Sequence, residues 1–352
     1  MESNNKKTIL VTGASGYIAS WIVKYLLEEG HTVHGTVRNL KKKEKTEHLE
    51  KLSNESNGEL KLYEADLMKE GSFEEAMIGC DIVIHTASPF MISNIKDPVK
   101  ELIEPAKLGT SNVLEQANKT ESVKRIVLTS SVVAIYGDAI DGKNVPDNTF
   151  TEEHWNTTSS ADHQPYPYSK TLAEKEAWKI ANAQDRWVLT TINPGFVLGP
   201  SINKFNQGTS ATFVKNLGDG TFKQGMPDMG GSQVDVRDVA KAHILVAFNE
   251  DASGRHITVG HNAKFIELAQ ILRNKFGNAY PFPKKVVPKF LMWLMAPKIG
   301  FSRKYVSKNV GHRFYADNSY SKKDLGIEYR PLEETLTDHF QQILDDGLIE
   351  AK

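Results

Sequence analysis

From Thr8 to about residue 130, short apolar runs alternate with stretches whose apolar positions recur every three or four residues. The runs are Thr8-Ile-Leu-Val11, Thr32-Val-His-Gly-Thr-Val37, Leu60-Lys-Leu-Tyr63, Asp81-Ile-Val-Ile84 and Arg125-Ile-Val-Leu128. Between them, Tyr17 to Glu29, Lys43 to Leu52, Ser72 to Ile78 and Pro98 to Asn118 carry helical spacing, and Gly30 stands where a helix would end in a left-handed turn. This alternation predicts an α/β fold, a doubly wound parallel sheet with helices on both faces. One more unit follows, helical over Tyr166 to Ala183 and extended over Trp187 to Ile192.

After Pro194-Gly195 the pattern loosens, and Gly, Pro and Asn accumulate from Asn203 to Gly231. Such a stretch reads as a substrate-facing lobe grafted on a regular sheet. Residues 1–200 are expected to form the sheet domain, and 233–262 to return to it, because Gln233-Val-Asp-Val-Arg-Asp-Val239 has the look of a strand rejoining the sheet. Residues 201–232 and 263–352 then make a smaller, interleaved C-terminal lobe. The chain has 352 residues, ample for a large core and a second lobe. Val286 to Phe301 is strongly apolar, but Pro288, Lys289, Pro297 and Lys298 break it short of the ~20 residues a membrane span needs. A helix covering the lobe is expected there, with a helix lying on a membrane surface as the alternative.

Composition narrows the function. Lys and Arg number 43 against 44 Asp and Glu, a net charge of −1 that offers no general attraction to nucleic acid or anionic membranes. The lone Cys80 cannot form an internal disulfide and reads as a small buried apolar residue. The polar opening, Met1 to Lys7, is followed by an apolar run too short for a secretory signal, so a cytoplasmic protein is expected.

The candidate chemistry starts at Gly13-Ala-Ser15-Gly16-Tyr17-Ile18-Ala19, between the first strand and the first helix. Glycines there let backbone amides close on a pyrophosphate at the positive end of the helix, and Ala19 is small enough for tight helix packing, which is the Rossmann arrangement for a dinucleotide. An ordinary strand-to-helix turn is the plainer reading of the same residues. At the tip of the second strand, an Asp or Glu would hydrogen-bond a ribose 2′-hydroxyl, but this chain has Val37-Arg38-Asn39. Arg38 offers a planar fork to a 2′-phosphate, with Lys45 the best placed of the lysines that follow, so NADP(H) is expected. Asp66 would either receive the adenine amino group or N-cap a helix before Leu67.

Reducing a carbonyl needs a proton on oxygen as well as a hydride on carbon. Tyr166 and Lys170, one helical turn apart, offer a phenol and a cation that stabilises its phenolate and lowers its pKa. Ser131, at the end of the fifth strand, would hydrogen-bond the substrate oxygen, and its neighbour Ser130 competes for that role. Tyr168 points elsewhere on the helix and is read as packing. No metal is called for. The partner is a small-molecule carbonyl compound, and the chain is expected as a monomer or homodimer.

Taken together, Val11-Thr-Gly-Ala-Ser-Gly-Tyr-Ile-Ala-Ser-Trp21, Ala65-Asp-Leu67, His85-Thr-Ala-Ser-Pro89, Leu128-Thr-Ser-Ser131, Tyr166-Pro-Tyr-Ser-Lys170, Asn193-Pro-Gly-Phe-Val-Leu-Gly-Pro200 and Val234-Asp-Val-Arg-Asp-Val239 resemble an extended short-chain dehydrogenase/reductase. The resemblance is to the dihydroflavonol reductase-like branch, which also holds cinnamoyl-CoA reductases and microbial NADPH ketone and aldehyde reductases. It implies that Ser131, Tyr166 and Lys170 are catalytic, that Thr86, Ala87 and Ser88 line the cofactor, and that Pro194, Gly195 and Val197 abut the nicotinamide. Read alone, Thr86 to Pro89 is equally a strand end, and Pro194-Gly195 a turn. Two positions depart from the branch. Ala106 stands where many extended members place an asparagine, three residues ahead of Gly109-Thr110, and Tyr136 stands where dihydroflavonol reductases bind ring hydroxyls with an asparagine. The thiol-bearing motif of cinnamoyl-CoA reductases is absent as well. The competing functions are an NAD-retaining nucleotide-sugar epimerase or dehydratase, for which an acidic strand tip is expected, and a non-catalytic NADP-binding redox sensor, for which a broken Tyr-Lys pair is expected.

Overall fold

The structure is a computed structural model that describes residues 6–88, 96–204 and 208–349. Pro89 of the His85 motif lies outside the described residues. The first half alternates as its sequence pattern predicts: β1 (Thr8–Thr12), α1 (Tyr17–Glu28), β2 (Thr32–Val37), α2 (Glu47–Asn54), β3 (Glu59–Glu64), α3 (Glu74–Met77), β4 (Ile82–His85), α4 (Glu104–Lys119) and β5 (Arg125–Thr129). A two-residue strand, β6 (Thr149–Phe150), precedes α5 (Pro165–Ala181) and β7 (Val188–Pro194). Helix starts differ most from expectation. The lysine run before α2 winds only as a short 3-10 turn over Lys43–Lys45. Ahead of α4, Val99–Ile103 widens into a π-turn, where Pro105 has no N–H to donate to an α-helical ladder.

After β7 come β8 (Phe196–Leu198), α6 (Thr209–Gly218), β9 (Met226–Pro227), β10 (Gly230–Asp235), α7 (Val236–Phe248), β11 (Gly254–Thr258), β12 (His261–Lys264) and α8 (Phe265–Phe276). The chain ends through β13 (Val286–Val287), α9 (Lys289–Met295), α10 (Arg303–Asn309), β14 (Tyr315–Ala316), α11 (Ser319–Leu325) and α12 (Leu332–Asp345). Seven strands form one parallel sheet in the order β11-β7-β5-β4-β1-β2-β3. The order reverses between β1 and β4, and such a switch point opens a crevice at the carboxyl ends of the strands.

One face of the sheet is covered by Ile22, Val23 and Leu26 of α1 and by Val239 and Ala240 of α7. Val113 and Leu114 of α4 and Ala177 and Ile180 of α5 cover the other. Cys80 lies in this second core, where burial pushes its thiol up to about 12. A separate core built on Leu268, Leu272, Leu336 and Phe340 holds the C-terminal lobe.

The expectation that Gln233-Val-Asp rejoins the large sheet is corrected. These residues lie in β10, which pairs in parallel with β8 and antiparallel with β12 in a sheet of three. The strand that does return is β11, beside β7. Asp235 ends β10 by accepting the Arg237 N–H as the N-cap of α7, and α7 carries the chain across α1 before the sheet can be re-entered. Among the described residues no helix is long and apolar enough to cross a membrane.

Candidate active site

At the carboxyl ends of the strands lies a cavity of about 1130 Å³ that runs from the first glycine turn to the C-terminal lobe. Gly13, Ser15, Gly16, Tyr17 and Ile18 line its inner end. Gly13 has φ +64°, and a Cβ there would press on Ala87 Cβ at 3.1 Å, so the turn needs glycine for conformation and for space. Gly16 is the N-cap of α1, with no side-chain cap and no acid in the first turn. The positive helix end is thus open to an anion. Beneath the turn, Thr12 Oγ1 accepts from the Thr86 and Ala87 amides, both at 3.1 Å, and is 2.8 Å from His85 Nδ1. With both lone pairs used, its own hydrogen goes to His85, whose ring is neutral because burial and then the Lys170 charge pull it down to about 3. Neither Thr12 nor His85 lines the cavity; the pair braces the Thr86–Ala87 wall from beneath.

Arg38 and Lys45 line the cavity at the tip of β2, joined by Lys42, which the sequence reading did not single out. Lys43 faces away, to Glu50 at 3.0 Å. A 3-10 turn places residues three apart on one side, which is why Lys42 and Lys45 share a face. Leu67, Thr86, Ala87 and Ser88 form the next stretch of wall. Asp66 does not line it: its Oδ1 accepts from the Met68 amide at 2.9 Å, and its own amide donates to Ser72 Oγ at 2.8 Å. The Asp66 carboxylate closes a turn here, and no helix starts at Leu67. The first-turn glycines, the uncapped helix end and the basic tip of β2 fit a dinucleotide carrying a 2′-phosphate.

Ser131, Tyr166 and Lys170 all line the same cavity. Ser131 N-caps the turn Val132–Ala134, its Oγ accepting from Val133 N at 3.3 Å. Ser130 is separated from it in role: its hydroxyl donates to the buried Glu174 carboxylate. Glu174 also takes Arg255 Nε at 2.6 Å and Asn193 Nδ2 at 2.8 Å, and the same Asn193 amide reaches the Ser131 carbonyl at 3.2 Å. Pro165 opens α5, so Tyr166 and Lys170 occupy its first turns and face the cavity together, while Tyr168 does not line it. Burial pulls the Lys170 ammonium down to about 8, with the Glu174 carboxylate working against the fall. Burial pushes the Tyr166 phenol up, outweighing the lowering expected from Lys170, and so keeps the proton on oxygen.

Pro194, Gly195 and Val197 also line the cavity. A Cβ on Gly195 would collide with the Ser232 carbonyl, so glycine lets β10 close on this turn. Beyond, the wall is aromatic. Tyr136 packs on Phe314 at 4.4 Å and on Phe150 at 5.2 Å, and its hydroxyl bonds Ser232. Tyr305, Asn309 and Gln164 add polar groups. Of these, Tyr305, Asn309 and Phe314 come from segments remote in sequence from Ser131 and Tyr166 and carry no local motif. Ala106 is buried in α4 and is not among the lining residues.

Residues 9–260 match the family described as NAD dependent epimerase/dehydratase. Cinnamoyl-CoA reductase CAD2 of Medicago truncatula is 38% identical over 344 residues, 97% of each chain. Among solved structures, Gre2 of Candida albicans in complex with NADPH is 31% identical with a TM-score of 0.77, covering 97% of this chain and 99% of that one. Yeast methylglyoxal/isovaleraldehyde reductase Gre2, also complexed with NADPH, is 30% identical with a TM-score of 0.76 over 97% and 99%. With the parallel sheet, the open glycine turn and the basic strand tip, these likenesses identify the chain as a member of the NAD dependent epimerase/dehydratase family, an NADP-dependent oxidoreductase of the extended short-chain dehydrogenase/reductase type.

Proposed function

We propose that this chain reduces the carbonyl group of a small aldehyde or ketone to an alcohol, with Tyr166 as proton donor. The supporting observation is that Ser131, Tyr166 and Lys170 border one cavity with the glycine turn. When bound, NADPH supplies the hydride that reaches the carbonyl carbon. Tyr166 gives its hydroxyl proton to the carbonyl oxygen as charge develops there. The Ser131 hydroxyl donates a hydrogen bond to the same oxygen, and the Lys170 ammonium stabilises the phenolate left behind until solvent returns its proton. Arg38, Lys42 and Lys45 are positioned to hold the 2′-phosphate, and that basic tip favours this reading over an NAD-retaining epimerase or dehydratase. The similar proteins named as reductases support it further. Residues 201–232 and 263–352 are taken as the substrate lobe.

The test is NADPH oxidation across a panel of aldehydes and ketones, run beside sugar nucleotides. Several carbonyl compounds should consume NADPH, and Tyr166→Phe should lower kcat by about 10²–10⁴ while leaving NADPH affinity nearly unchanged. A parental rate in Tyr166→Phe removes the proton-donor assignment. Conversion of a sugar nucleotide without net NADPH consumption removes the reductase assignment.

A further inference from the structure

Beyond Lys289, helix α9 is apolar all round, and among the described residues only its inner side packs into a buried cluster. Met292 and Ala296 face inward, packing with Val306, Val310 and Met229. Phe290, Leu291, Leu294 and Met295 face outward, Phe290 with 67% of its surface exposed, and Ile299 and Phe301 extend the patch through the turn Ala296–Ile299. Half of the fourteen large apolar side chains exposed among the described residues fall between Val286 and Phe301. A helix with two apolar faces has a second apolar medium to meet.

The surrounding charge indicates which medium. Between Glu267 and Asp317 the sequence has ten Lys and Arg and no Asp or Glu, in a chain of net charge −1. Lys284, Lys285, Lys289, Lys298, Arg303 and Lys304 flank the patch and are exposed. A second copy of the chain seated symmetrically on this face would set these cations against their equivalents. An acidic headgroup layer would neutralise them while the apolar side chains entered the acyl boundary.

We propose that the face formed by Val286–Phe301 docks the protein on an anionic membrane, lying on the bilayer and not crossing it. The same element would bring the cavity to the membrane surface, since Met229 of its inner cluster and Tyr305 and Asn309 of α10 line that cavity. This goes beyond the proposed reductase activity and does not depend on it.

The experiment floats the full-length protein with vesicles of phosphatidylcholine alone and of phosphatidylcholine mixed with phosphatidylserine, at low and high salt, beside sedimentation velocity without lipid. Binding to the anionic vesicles should exceed binding to the neutral ones by roughly tenfold or more and fall as salt rises. Phe290→Glu with Leu294→Glu, and separately Lys284→Ala with Lys285→Ala, Lys298→Ala and Lys304→Ala, should each abolish most of it. Both variants should keep the parental rate with any water-soluble substrate the parent turns over. The lysine variant leaves the apolar contacts intact, so it reads the charge even if the glutamate variant folds poorly. Equal binding to both vesicle types, strong or absent, overturns the proposal. So does a dimer in solution that Leu294→Glu separates, which would assign the face to a second copy of the chain.

Discussion

Lys170 is a cation whose surroundings work against its charge. Water is excluded from it, and its pKa falls from 10.5 to about 8, while the carboxylate of Glu174 four residues on resists that fall. At neutral pH the ammonium persists and can stabilise the phenolate formed when Tyr166 gives up its proton. Above pH ~8 it is lost, so carbonyl reduction measured at saturating NADPH should decline through an apparent pKa near 8. Folding stability follows the opposite course. The folded-state value lies below the unfolded one, so between pH ~8 and ~10.5 the unfolded chain binds the extra proton and this group's penalty shrinks as pH rises. Lys170→Met should therefore be inactive yet melt higher than the parent at pH 7, with the gap closing towards pH 10. A reduction rate that stays flat to pH 10 would remove Lys170 from the chemistry.

Among elements, α5 carries two of the three proposed catalytic side chains, and its position is set by a strand 81 residues away in sequence. Arg255 of β11 holds Glu174 from beneath the sheet edge, stacks on Trp155 at 3.9 Å, and donates to the carbonyls of Glu152 and His154. Removing one partner of such a buried pair costs about 3–5 kcal/mol, because the other charge is left without compensation. Arg255→Met should lower stability on that scale in chemical denaturation, and adding Glu174→Gln should restore much of it. An additive double variant would show that the two side chains act independently. This arrangement also marks where sequence reading stops. Tyr166 and Lys170 were legible because one helical turn brings them together, and the glycine turn because strand, turn and helix are consecutive. Arg255, Glu174, Asn193 and Thr12 were not, since their partners depend on strand pairing that no local spacing encodes. The same limit explains β10: a strand's period shows which face is buried but not which sheet it joins. Within the lysine run, helical spacing was the wrong period, and the 3-10 turn brought Lys42 to the cavity beside Lys45.

At the scale of the whole molecule, the buried carboxylate of Asp138 ties segments far apart in sequence to one another. Asp138, in the loop beyond Ser131, accepts from His163 Nε2 at 2.9 Å, Gln164 Nε2 at 2.7 Å, Asn309 Nδ2 at 2.7 Å and Lys308 Nζ at 3.0 Å. Gln164 is the left-handed N-cap of α5, two residues before Tyr166, and Asn309 lies on α10; both line the cavity. Burial pushes the Asp138 carboxyl up, but Lys308, His163 and Asn309 together hold it below the ordinary carboxylate value. A depressed folded-state pKa contributes stability above the unfolded value near 4 and loses it as pH falls through the folded value. Asp138→Asn keeps the shape of the side chain but leaves the Lys308 ammonium without its counter-charge. It should therefore be less stable than the parent at pH 7, with the difference vanishing towards pH 2. Because the ties run to the cavity wall and to the start of α5, KM for the carbonyl substrate should rise roughly tenfold, the loss expected for one misplaced wall contact, while the KM for NADPH stays near the parental value. A variant that melts earlier but keeps both KM values would reduce Asp138 to a structural anchor, and a rise in the NADPH value alone would place its influence at the other end of the cavity.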